Sequence, residues 1–274
     1  MATIDSELNP LGKSSVYKDE YDASLLFAIP RAEGRSRLVG GNFVPVYGED
    51  IWNAYELSWL NAKGKPVVAM GEFRIPATGA NLIESKSFKL YLNSYNQTRF
   101  DSPADVQARM AADLSAVAGC AVTVELTALP DVLDFGTAPT ALCVDDLDVT
   151  ITAYQPDGTL LATADGEFDG WLCSHLLKSN CPVTGQPDWG SVYVYYRGPV
   201  IVPESFLAYV VSMRQHQGFH EQCVEQIFQD INRFCHPESL IVCARYVRRG
   251  GLDINPVRSS LEGVSLENFR TVRQ

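Results

Sequence analysis

Two stretches of the chain repeat the same order of patterns, strand then helix then helix then strand, and a doubled unit of that kind restricts the fold more than any single motif. The first runs from YELSWLN through GEFRIPATGANLIES to the helical SFKLYLNSYN, then DSPADVQARMAADLSAVAG and the strand AVTVELTAL. In it, Asp101 or Ser102 can cap a helix with Pro103 in its first turn. The second runs from SVYVYYRGPVIV through FLAYVVSMRQHQ and GFHEQCVEQIFQDINRFC to SLIVCARYVRR. Aligning Glu84-Ser85 with Glu204-Ser205 gives an offset of 120 residues and brings Phe100 close to Phe219 after one gap. Such a unit suits an antiparallel sheet with paired helices on one face, an α+β arrangement. We place the units at 1–140 and 141–274. Ahead of the second repeat, the alternation in DVTITAYQ and TLLATADGEF predicts a hairpin turning at Asp157 and Gly158.

Composition narrows the function. With 274 residues, 46% of them apolar, the chain can bury a substantial core. A formal charge of −11 argues against tight binding to nucleic acid, so the expected ligands are small molecules. Any anionic ligand then needs grouped cations, and Arg245, Arg248 and Arg249 stand out. Apolar runs such as Ala116 to Val122 are far shorter than the roughly 18 to 20 residues of a membrane span. The polar start lacks a secretory pattern, so the expected location is the cytoplasm.

Seven cysteines in such a chain are expected to be free thiols. Cys120, Cys143, Cys173, Cys223, Cys235 and Cys243 lie in strand-like or helical runs, where packing is the expected role. Cys181 differs, because it sits in the polar, turn-forming SNCPVTGQPDWG with Asp188 seven positions on. Pro182, Gly185 and Pro187 can fold that loop back so that thiol and carboxyl share a pocket, one as nucleophile and one handling protons. An incidental Cys and Asp on a surface loop would give the same spacing. His220 and Glu221 in GFHEQ open a helix and can read donors and acceptors on a polar ring, although a polar helix start is also ordinary capping. In ESKSFKLY, Lys86 and Lys89 fall within one helical turn, a pattern that suits an amphipathic helix as well as a phosphate site. Cys173, His175 and Cys181 can be offered as zinc ligands, but their spacing is not a strong zinc pattern.

The run Glu84 to Tyr91, the Cys181 to Asp188 loop and the His220-Glu221 pair together resemble the NADPH-dependent 7-cyano-7-deazaguanine reductases, the nitrile reductases of queuosine biosynthesis, in their long two-unit form. The resemblance implies two tandem tunnelling-fold units and a homodimer. It implies a deazapurine nitrile reduced to 7-aminomethyl-7-deazaguanine through a thioimide on Cys181, with Asp188 moving protons. Ile83, Glu84, Ser85, His220 and Glu221 would bind the substrate, and Ser85, Lys86, Arg249 and Gly250 would meet NADPH. No catalytic metal is implied. No Gly-x-Gly-x-x-Gly fingerprint follows a strand, so the cofactor is not expected in a Rossmann site.

Overall fold

A computed structural model describes residues 17–38, 46–129 and 135–274, and the chain divides into two compact units. The first comprises residues 1–36, 50–134 and 248–253, and the second 37–49, 135–247 and 254–274. The division therefore is not one cut: the short turn 248–253 belongs with the first unit although its flanks belong with the second. Among the described residues no helix is long and apolar enough to cross a membrane.

In the first unit, β1 (Ala28–Pro30) leads to the short helix α1 (Arg31–Arg35) and then to β2 (Tyr47–Asn61), of which residues 50–61 belong to this unit. β3 (Pro66–Pro76), β4 (Asn81–Ile83), α2 (Ser85–Asn93), β5 (Arg99–Phe100), α3 (Pro103–Ala118) and β6 (Thr123–Ala128) follow. The sheet order is β6, β3, β2, with β5 parallel to β2 and with β1 and β4 forming a separate antiparallel pair. The β2–β3 turn is set by Asn61, whose Oδ1 accepts from the backbone N–H of Lys63 and Lys65 at 3.0 Å each. α3 buries Val106, Met110, Leu114 and Ala118, one side chain per turn. Ser102, one of the two caps the sequence offers, caps its start, and Gly119, at φ 70°, ends it. Phe88 of α2 packs edge-on to Trp52 and Phe73, with centroids 5.2 and 5.1 Å away, and so seats the helix on the sheet.

The second unit contains β7 (Leu142–Cys143), β8 (Thr163–Ser174), β9 (Lys178–Asn180), β10 (Pro187–Ile201), α4 (Pro203–Ser212), α5 (His220–Cys235), β11 (Ser239–Tyr246) and, from residue 254 on, β12 (Leu252–Ser259). β10 is the central strand, antiparallel to β8, β9 and β11, and β11 is antiparallel to β12. Val192, Val194 and Tyr196 of β10 and Leu240, Val242 and Ala244 of β11 face Phe206 and Val210 of α4 and Val224, Ile227 and Ile231 of α5 in one buried core. Residues 148–155 form no strand, which corrects the expected hairpin. Their alternation is real, because Leu147 and Val149 pack on the core, but period-two burial does not require a ladder partner. Asp157 caps a single 3-10 turn over Gly158–Leu160 instead of a hairpin turn.

A buried ion pair crosses this core. Arg258 Nε donates to Glu225 Oε1 at 3.0 Å, and the two side chains are 0% and 4% exposed. Arg258→Met strips the guanidinium from a buried carboxylate and is expected to cost about 3 to 5 kcal/mol in urea unfolding. The double variant with Glu225→Met should recover most of that loss. A single variant as stable as the wild type would remove the pair from the stability of this unit.

The two units repeat one polar framework, but in another register than the sequence suggests. The first-helix caps are Glu84 and, 118 residues on, Val202. In that register Ser87 and Ser205 each donate to the carbonyl of the cap residue at 2.7 Å. Ser94 and Ser212 likewise donate to the carbonyls of Tyr91 and Tyr209, at 2.6 and 2.7 Å. Tyr91 and Tyr209 reach across to Asp113 and Asp230 of the second helices, both at 2.7 Å. The match of Glu84-Ser85 to Glu204-Ser205 is therefore a coincidence of letters two residues out of register.

Candidate active site

β9 and β10 form a hairpin closed by a turn from Cys181 to Gln186. Cys181 N–H donates to the Gln186 carbonyl at 2.9 Å, Gly185 N–H donates to the Cys181 carbonyl at 3.1 Å, and Gly185 takes φ 65°. The ladder sets Asp188 directly opposite Ser179. Side chains alternate along a strand, so Ser179, Cys181 and Asp188 share one face. Cys181 and Asp188 are then diagonal neighbours, a relation that holds Cα atoms about 7 to 8 Å apart. Both side chains are nearly buried, at 9% and 3% exposed.

The first turn of α5 meets that face. His220 Nε2 lies 3.9 Å from Asp188 Oδ1, and the ring stands edge-on to Tyr246 with centroids 4.0 Å apart. Gln222 Oε1 accepts the Phe219 N–H at 3.1 Å and fixes the turn into the helix. Glu221, 3% exposed, is the second helical residue, where the positive end of the helix dipole favours a carboxylate. Tyr246 pairs with Gly190, and a Cβ on Gly190 would stand 3.1 Å from the Tyr246 ring, so the bare glycine lets the ring lie against β10. Burial, then Cys223, and also the Asp188 charge, push the Tyr246 phenol well above its usual range. The hydroxyls of Tyr246 and Ser179 are buried beside each other and beside the Cys223 thiol. Burial pushes the thiols of Cys173, Cys223 and Cys235 up to about 12 and that of Cys243 up to about 11, so these sulfurs stay protonated near neutral pH.

Cys181, Asp188, His220 and Glu221 are thus all carried by the second unit, the first three grouped by one hairpin and one helix start. Ser179, Tyr246 and Cys223 complete this neighbourhood and escape a reading of the sequence. Ser179 could have been found, because it is two residues before Cys181 on a strand. Tyr246 has no local signal, since only the pairing of β11 with β10 brings it in.

The remaining predicted residues belong to the first unit. Ile83 ends β4, paired with Ala28. Glu84 is fully buried and caps α2, one carboxylate oxygen accepting Lys86 N–H at 2.8 Å and the other Ser87 N–H at 2.7 Å. Burial raises its carboxyl pKa, and those N–H groups act against the rise. Ser85 Oγ lies 3.4 Å from the same carboxylate. In the turn 248–253, Gly250 and Gly251 take φ 58° and 77°, and a Cβ on Gly250 would fall 2.3 Å from Lys89 Nζ. Lys89 of α2 therefore adjoins the turn that carries Arg249, while Arg248 stacks on Tyr55 at 3.8 Å. The turn thus has Lys89, Arg248 and Arg249 as cations that could meet phosphate, with the Glu56 carboxylate against Gly251. Arg245 does not join them. It is 1% exposed, stacks on Phe269 at 4.1 Å, and donates to Asn268 Oδ1 and the Glu267 carbonyl at 2.9 Å each, so its charge serves packing within the second unit.

His216 supports the hairpin from behind. Its carbonyl accepts Asn180 N–H at 2.8 Å, and its Nε2 is buried without a partner. Burial lowers its pKa from 6.5 to about 4. The unfolded chain therefore takes up this proton first, and the stability that the neutral ring gives is present above about pH 6.5 and lost as pH falls towards 4. Between pH 7 and 4.5 the wild type should lose about 2 kcal/mol more than His216→Gln in urea melts. Equal losses in the two proteins would remove His216 as the cause.

Residues 17–126 match the family described as nitrile reductase, 7-cyano-7-deazaguanine-reductase N-term, and residues 187–264 match the QueF-like protein family. Among curated relatives, the NADPH-dependent 7-cyano-7-deazaguanine reductase of Dechloromonas aromatica (strain RCB) is 55% identical, covering 98% of this chain and 96% of the relative. The reductases of the same name from Azoarcus sp. (strain BH72) and Burkholderia cenocepacia (strain HI2424) are 53% and 51% identical, covering 98% and 99% of this chain and 96% and 100% of theirs. The chain belongs to the family of 7-cyano-7-deazaguanine reductases. A solved structure titled as the apo archaeosine synthase QueF-Like aligns with 37% of this chain and 99% of its own, at 21% identity and a TM-score of 0.31, too slight a likeness to place the fold.

Proposed function

We propose that Cys181 is the nucleophile of this reductase and that Asp188 handles its protons. The protein is an NADPH-dependent oxidoreductase that converts the nitrile 7-cyano-7-deazaguanine to the primary amine 7-aminomethyl-7-deazaguanine in queuosine biosynthesis. One observation carries the residue assignment: the β9–β10 hairpin puts Cys181 and Asp188 on the same face, with His220 3.9 Å from the Asp188 carboxylate.

The Cys181 sulfur adds to the nitrile carbon while a proton reaches the nitrile nitrogen, so a C≡N bond becomes a C=N bond in a thioimide. Asp188 carries that proton, taking it from the thiol and passing it to nitrogen. NADPH supplies two hydrides per nitrile, and with two protons these account for the four hydrogens gained. Breaking the C–S bond after the first reduction returns Cys181 as a thiol. Lys86 and Ser85 at the start of α2 and Arg249 and Gly250 in the turn would hold the cofactor, the cations meeting phosphate and the glycine allowing close backbone approach. Glu221 and Glu84 would accept from the N–H groups of the guanine-like edge, and His220 and Ile83 would lie against the ring. The resemblance further supports two tunnelling-fold units, a homodimer and a cytoplasmic enzyme.

Intact-mass measurement with 7-cyano-7-deazaguanine and no NADPH tests the covalent step. The expected product is an adduct of the mass of one substrate, which disappears when NADPH is added and never forms in Cys181→Ala. Turnover by wild-type protein without any adduct in rapid quench would overturn the thioimide.

A further inference from the structure

Away from the catalytic hairpin, three side chains that can ligate a soft cation converge in the second unit. Cys143 is exposed on β7, Cys173 is buried on β8, and His175 follows, exposed, two residues later. Both sulfurs and a ring nitrogen of His175 lie within 4.8 Å of one another. The backbone explains the meeting. β7 runs parallel to β8 with Cys143 directly opposite Cys173, and a residue two positions along a strand returns to the same face.

The surroundings hold the ligands in place. His175 Nδ1 is 2.9 Å from Ser191 Oγ, a hydroxyl that orients the ring as outer-shell partners do in metal sites. Asp145 Oδ2 accepts the His175 N–H at 2.9 Å, Arg273 donates to the His175 carbonyl at 2.7 Å, and Val144 N–H donates to the Cys173 carbonyl at 3.1 Å. Both ligand-bearing segments are thus fixed by bonds that need no metal.

We propose that Cys143, Cys173 and His175 bind one zinc ion, with the fourth position open to solvent on the exposed side, and that this ion ties β7 to β8. Two thiolates and an imidazole select zinc or copper(I) over magnesium or calcium. Zinc holds sulfur at about 2.3 Å and nitrogen at about 2.0 to 2.1 Å. Tetrahedral ligand atoms then stand roughly 3.5 to 4 Å apart, so closure from the observed spacing needs on the order of 1 Å. Rotation of the two exposed side chains, Cys143 and His175, can supply it. On binding, each thiol releases its proton to solvent and no electron changes hands. The trio differs from Cys173, His175 and Cys181, the set that spacing alone offers, because Cys181 belongs to the β9–β10 turn. Cys143 is also not the packing residue its apolar neighbours predict, since β7 is only two residues long and both are exposed. A tether has most to add there.

The test uses the full untagged chain, reduced, stripped of metal and titrated with Zn²⁺ or Co²⁺. One ion per chain by elemental analysis and a thiolate-to-cobalt charge-transfer band are expected. In Cys143→Ser affinity should fall on the order of a hundredfold or more, since even outer-shell partners are worth about 10- to 100-fold. Cys143 pairs with Cys173 of β8 and not with the β9–β10 hairpin, so that variant should keep wild-type nitrile reduction, which also certifies its fold. Absence of the band at one equivalent would overturn the proposal. So would a band that survives Cys143→Ser but vanishes in Cys181→Ala, or a Cys143–Cys173 disulfide as the stable form under the same reducing conditions.

Discussion

Cys181→Ala is expected to lower kcat for nitrile reduction on the order of 10⁴-fold or more, the scale on which nucleophile removal acts in other covalent enzymes. The reason is electronic, because without an adduct the nitrile carbon keeps its triple bond and accepts hydride poorly. Folding should survive. The turn is held by Cys181 N–H to the Gln186 carbonyl and by Gly185 N–H to the Cys181 carbonyl, and neither bond uses the sulfur. Substrate binding measured by calorimetry should therefore persist while turnover and adduct vanish together. A variant within tenfold of wild-type kcat would mean that another group opens the nitrile.

The second large effect is at Asp188. Asp188→Asn keeps shape and ladder position opposite Ser179 but cannot exchange a proton, and kcat is expected to fall about 10²- to 10⁴-fold. KM should change little, because the proton moves only as the reaction proceeds. The kcat–pH profile should also lose a limb in the variant. Unchanged kcat, or a profile of the same form at reduced height, would assign Asp188 to positioning His220 instead of to proton transfer.

How much could be read in advance depended on how local each signal was. The strand, helix, helix, strand order showed in each half because apolar periodicity and a start cap such as Ser102 are properties of short windows. The repeat register did not, because what the halves share is the Tyr91–Asp113 and Tyr209–Asp230 contacts, polar pairs from different helices that only the folded units bring together. The Cys181 to Asp188 loop was legible as a turn that folds the chain back, but not the two strands it joins. Tyr246 was not, being an ordinary strand tyrosine until β11 is laid beside Gly190. Arg245 misled for a related reason: a run of arginines announces charge, but not which guanidinium the core will take.

The polar framework common to the two units separates what was copied from what was not. At the first-helix cap one copy has Glu84 and the other Val202, and at the second-helix start one has Ser102 and Pro103 where the other has Phe219 and His220. Redundancy in this chain is therefore architectural and not chemical. Segments that serve only the shared tyrosine–aspartate struts are candidates for exchange between the halves, whereas a lesion at Cys181, His220 or Glu84 has no spare at the equivalent place. A grafting series across the repeat would map that boundary, with stability tracking the struts and activity tracking the unduplicated ends.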